Sequence, residues 1–109
     1  MKRYVIGFGY ERDRDNALTG LGADDAARVV ESLADEIRLP AYALRFGPGS
    51  WVNDQGVRVT EQGGTVEFVA EGLGIDGALA ERMARGLKEK LRQDAVVFYV
   101  QPVETFTFI

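Results

Sequence analysis

Lys2-Arg-Tyr-Val-Ile-Gly-Phe-Gly-Tyr10 is the stretch on which the fold turns. Tyr4, Ile6, Phe8 and Tyr10 fall on one parity and Val5, Gly7 and Gly9 on the other, the period of a strand with one bulky face. Outward from it, the mixed charges of Glu11 to Asn16 and the glycines near Thr19 to Gly22 predict a long polar loop. Ala26, Val29, Val30, Leu33 and Ile37 then recur every three or four residues. They line one face of a helix that Asp24 can cap and Pro40 stops.

Ala41 to Phe46 alternates as a second strand, which Gly47-Pro48-Gly49 is expected to interrupt. Asn53-Asp54-Gln55-Gly56 has the composition of a hairpin turn, and Val57 and Val59 open the returning strand. The apolar set then moves to Val66, Phe68 and Ala70, a change of parity that predicts a bulge between Glu61 and Thr65. Leu79, Met83, Leu87 and Leu91 repeat at every fourth residue of a second helix. Asp76 can cap it, and Glu81 is placed to pair with Arg85. Ala95 to Val100 reads as the closing strand, with a further segment, Glu104 to Ile109, beyond the break at Pro102.

The order β-α-β-β-α-β within 109 residues predicts one domain, residues 1–109. Its class is α+β, a ferredoxin-like sandwich with two helices on one face of an antiparallel sheet. Val5, Val97 and Tyr99 fall on the parity that the helices leave uncovered. A homodimer or small homo-oligomer formed through that face is therefore expected.

Thirteen Lys and Arg stand against seventeen Asp and Glu, a net charge of −4, with no basic stripe. A nucleic-acid partner is not expected, since such binding rests on neutralising phosphates. No apolar run reaches the ~18 residues that a bilayer span requires, so a membrane is not expected either. The chain has no Cys and no His. That removes disulfides, thiolate chemistry, His-based zinc sites and Ser-His-Asp triads. The expectation is no metal, no cofactor and a cytoplasmic location.

The candidate ligand-binding residues are Trp51, Asn53, Glu61, Gln93 and Arg45: an aromatic platform with amides, a carboxylate and a guanidinium near the ends of elements. No catalytic residue is assigned. Gly47-Pro48-Gly49-Ser50-Trp51 is not read as a phosphate loop, because a hairpin rather than a helix follows it. Glu67 and Glu71 read as solvated carboxylates, and Arg12-Asp13-Arg14-Asp15 as a self-neutralising loop.

Gly49-Ser50-Trp51-Val52-Asn53, Gly56, Glu61, Gln93-Asp94-Ala95-Val96 and Gln101-Pro102-Val103-Glu104 together resemble a pattern in small uncharacterised proteins of actinobacteria and their phages. The resemblance implies a compact α+β fold and carries no reaction, cofactor or catalytic residue. With no His and no Cys, it favours a non-enzymatic binding protein. Such a protein is expected to be a phage-type accessory that sequesters a small ligand or masks a host protein. The alternatives are a cofactor-independent enzyme of the dimeric ferredoxin-like monooxygenase and isomerase type, and a structural subunit of an assembly.

Overall fold

The computed structural model describes residues 2–52, 54–70 and 77–103. Its elements are β1 (Lys2–Gly9), α1 (Ala23–Ile37), β2 (Ala43–Val52), β3 (Arg58–Ala70), α2 (Gly77–Lys90) and β4 (Val97–Pro102). The strands form one antiparallel sheet in the order β2-β3-β1-β4. This is the ferredoxin-like sandwich expected from the order of elements.

Tyr4, Ile6 and Phe8 of β1 join Val66 and Phe68 of β3 on the face that meets the helices, and all are buried. Val30 and Leu33 of α1 and Met83 and Leu87 of α2 complete the core. Side chains buried this fully, such as Ile6 and Leu87, are each worth ~1.5–3 kcal/mol relative to exposure. Gly86 brings the helices close: a Cβ there would stand 2.5 Å from Leu33 Cδ2.

Local signals act near their expected positions. The first helical residue of α1 is Ala23, so Asp24 lies inside the helix and is not the cap. Asp25 Oδ2 instead accepts a hydrogen bond from the Gly22 N–H at 2.9 Å. The helix ends at Ile37, before Pro40, where Arg38 turns left-handed at φ 58°. Arg85 donates to Glu81 at 2.7 Å, the pair that the spacing predicts. Asp76 and Glu104 to Ile109 lie outside the described residues.

Two expectations fail for one reason. The β2–β3 register runs without a slip from Ala43↔Glu67 to Val52↔Arg58, so β3 has no bulge and Gly47-Pro48-Gly49 lies within a continuous β2. An edge strand accepts Pro48 where its missing N–H faces away from the neighbour. Without a bulge, Val57 stays exposed and Val59 half-buried, and Val59 stands on the face opposite Val66 and Phe68. The change of parity marks a chain that uses both faces of its sheet.

On β4, Val97 is 63% and Tyr99 43% exposed, on the face away from the helices. Val5 shares that face and is buried. No helix among the described residues is long and apolar enough to cross a membrane.

Candidate functional site

The helix-free face carries an open cavity of about 830 Å³. Its position follows from register. Gly63 of β3 faces Gly9 of β1 on one side and Gly47 of β2 on the other, while Gly49 faces Glu61 and Gly7 faces Thr65. Residues paired across an antiparallel sheet share a face. The middle of this face is therefore bare backbone except where Glu61 covers Gly9, and the side chains on its rim make the walls.

Trp51 and Val59, paired across β2 and β3, stand at one end and Arg45 toward the other. Trp51 is 45% exposed, so it is not a core anchor. Glu61 reaches over Gly9. Burial pushes its carboxyl above the ordinary glutamate value, the neighbouring Glu11 adds to the rise, and Arg12 partly opposes it. Glu11 itself accepts from the Gln62 N–H.

The rim at the end of β1 is the loop from Tyr10 to Gly22, together with the turn after α2. Gln93 joins them, donating from Nε2 to the carbonyls of Arg12 at 2.8 Å and Leu91 at 2.9 Å. It is the single buried polar residue among those described, 7% exposed. Asp13 shapes the loop by accepting from the N–H groups of Asp15 at 2.9 Å and Ala17 at 3.0 Å. The bond from Ala17 is the largest cause of its lowered carboxyl pKa. Arg14 N–H donates to the Arg92 carbonyl at 2.8 Å, and Arg92 lies 3.8 Å from Asp13. The charged loop is thus fastened to the end of α2, which its alternating charges did not reveal.

Arg45 also binds Glu67 at 2.5 Å. Arg3 holds the other oxygen of Glu67 through Nε at 3.0 Å and reaches Gln101 at 2.8 Å. The hydrogen bond from Arg3 is the first cause of the lowered Glu67 pKa. Glu67 is therefore the centre of an ion cluster, not a solvated carboxylate, and Glu71 lies outside the described residues.

Trp51, Glu61, Gln93 and Arg45 all line this one cavity. Asn53 lies outside the described residues. The sequence reading missed the glycine floor and the share of Arg12, Asp13 and Asn16 in the wall. The floor did leave a signal, since Gly7, Gly9, Gly47, Gly49 and Gly63 all have odd numbers on their strands.

No family model matches the chain, and no curated protein matches it in sequence. Solved structures match in fold. A phage SAM lyase in complex with S-methyl-5'-thioadenosine superposes with a TM-score of 0.72 at 16% identity, covering 92% of this chain and 79% of that one. The apo state of a phage SAM lyase gives 0.70 at 16% identity, covering 92% and 78%. The adenosylmethionine decarboxylase of Aquifex aeolicus gives 0.50 at 14% identity, covering 100% and 98%. At these identities the likeness is one of fold. The expectation of a non-enzymatic binding protein is nevertheless overturned, because these neighbours are enzymes. The enzymatic alternative is the better supported of the readings made from the sequence.

Proposed function

We propose that this chain is an enzyme that binds S-adenosylmethionine in the glycine-floored cavity and cleaves it to release a nucleoside thioether. One observation carries the reading: the Glu61 carboxylate lies over Gly9 in an open cavity. An anionic carboxylate with no described cation bonded to it makes a site for positive charge. A sulfonium compound supplies it. The likeness in fold to a phage SAM lyase supports this choice of substrate.

In such a reaction a C–S bond breaks and its electron pair stays on sulfur, which passes from cationic to neutral. The carboxylate of the substrate's own amino-acid chain supplies the electron pair to that carbon, so that a lactone C–O bond forms as the C–S bond breaks and no outside nucleophile is needed. Glu61 beside that carbon stabilises the positive charge that builds there as the bond lengthens. It also favours the cationic substrate over the neutral thioether, which then leaves. The test is incubation with S-adenosylmethionine and detection of S-methyl-5'-thioadenosine by mass spectrometry. Release by the wild type, lost in Glu61→Gln, is expected. No release above the buffer rate overturns the reading.

The exposed Val97, Tyr99 and Trp51 also support self-association through this face, where a second copy would cover the open side of the cavity. Light scattering at micromolar concentration tests this. A monomer mass unchanged by Val97→Asp refutes it.

A further inference from the structure

Gly9, Gly63 and Gly47 form a row across three adjacent strands on the helix-free face. Glu61 lays its carboxylate over Gly9, and beyond it, with strands ~4.8 Å apart, the peptide backbone between Gly63 and Gly47 is free of side chains. The fold does not demand glycine at every place in it. Gly47 has no left-handed φ, and a Cβ there would meet nothing within 4 Å. Glycine in a strand gives up packing and backbone entropy, so a β-branched residue would serve β2 better. What the position lacks is a side chain standing up into the cavity.

A second observation comes from Gln93. Its amide nitrogen is spent on two backbone carbonyls, which fixes which end of the amide is oxygen. Oε1 points the other way and stands 3.1 Å from where a Cβ on Gly9 would be. No described group donates to it. No described buried polar atom is sealed in without a partner, so this oxygen opens onto the cavity. The result is an acceptor of fixed direction, on a residue 93% buried, beside a flat floor.

We infer that this floor is a nucleobase site: a planar aminopurine ring lies on the peptide groups of Gly63 and Gly47, its edge toward Gly9, and donates its exocyclic N–H to Gln93 Oε1. The inference rests on reading the cavity as a nucleoside site, and it names the part that holds the base. A flat ring makes full contact with a surface that has no side chains, whereas a puckered or branched group leaves gaps. Trp51 adds an aromatic wall at the end of the same face. An anionic group is disfavoured, because the nearest polar atoms are the acceptors of Glu61 and Gln93. A ring that covers this oxygen without donating to it leaves it dry and unpaired, so a ligand N–H aimed at it gains selectivity over analogues that lack one.

The test uses the full chain with adenosine and N6,N6-dimethyladenosine, which keeps the ring and lacks the donor. Calorimetry should show adenosine binding and at least a ~tenfold loss for the dimethyl analogue. Gly47→Val should weaken adenosine at least ~tenfold while leaving the melting temperature unchanged or raised. In the wild type, adenosine should shift the glycine amide resonances of Gly9, Gly47 and Gly63 by ring current, a readout that depends on no variant. Equal binding of the two nucleosides, undiminished binding by folded Gly47→Val, or no adenosine binding overturns the proposal. If S-adenosylmethionine is cleaved in any of those cases, the lyase reading stands without the floor. If adenosine binds with the expected discrimination and S-adenosylmethionine is not cleaved, the floor stands and the lyase reading falls.

Discussion

Replacing Gly9 by alanine puts a methyl group at the point where Glu61 and Gln93 converge. The added carbon would overlap Glu61 Oε1 and stand 3.1 Å from Gln93 Oε1. Gln93 cannot retreat without releasing the carbonyls of Arg12 and Leu91, so the carboxylate moves. Restoring an ordinary contact takes a shift of ~1 Å, and misplacement of a reacting group on that scale costs ~10²-fold in rate. Stability should respond differently. Gly9 has no left-handed φ, and alanine lowers the entropy of the unfolded chain, a gain of ~0.4–1 kcal/mol where the backbone fits. The expected result is a fall of ~10²-fold in kcat/KM for S-adenosylmethionine cleavage with no loss in melting temperature. A folded Gly9→Ala enzyme within ~threefold of wild type would show that the geometry of Glu61 over Gly9 is not used in the reaction.

Activity should rise with pH through a value above the ordinary glutamate pKa of 4.5, since burial raises the Glu61 pKa and the ionised form is the working one. Because the raised pKa makes ionised Glu61 unfavourable in the folded state, Glu61→Gln should be inactive yet melt higher at neutral pH; an unchanged melting temperature speaks against that cost. Glu67 has the opposite sign. Its folded pKa is lowered by Arg3 and Arg45, so its stabilisation is present above 4.5 and lost as pH falls through the lowered value. Glu67→Gln should cost ~1 kcal/mol or less at neutral pH, because Arg3 and Arg45 are 37% and 67% exposed, and the difference should vanish in acid melts. Leu87→Ala should cost ~2–5 kcal/mol in urea unfolding, and a loss under ~1 kcal/mol would take Leu87 out of the core.

Periodicity made the core legible. Tyr4, Ile6 and Phe8, Ala26, Val30, Leu33 and Ile37 of α1, and Met83, Leu87 and Leu91 are buried where their spacing puts them, with Val29 and Leu79 half-buried at the edge. Parity misled where both faces are used, since assigning Val57 and Val66 to one core required a bulge that the register does not contain. Side-chain types singled out Trp51, Glu61, Gln93 and Arg45, and the sheet brings them to one cavity. The floor could not be read in the same way, because a row across β1, β3 and β2 depends on which strands are neighbours. The oxygen of Gln93 was equally hidden, since its direction is set by a loop 81 residues away in sequence.

Of the two inner strands, β1 is made before β3. β1 pairs on one side with β3, where Lys2 faces Ala70, and on the other with β4, where Lys2 faces Pro102. During synthesis both of its edges wait for partners that leave the ribosome much later, while the β2–β3 hairpin can zip locally. Tyr4, Ile6 and Phe8 must stay out of foreign pairings throughout that interval, and two positive charges at Lys2 and Arg3 lie at the strand's start. The last large step in folding is then the arrival of β4, which closes the sheet and carries Gln93 to the end of β1. The nascent chain therefore has no site until α2 and the turn that carries Gln93 have been made.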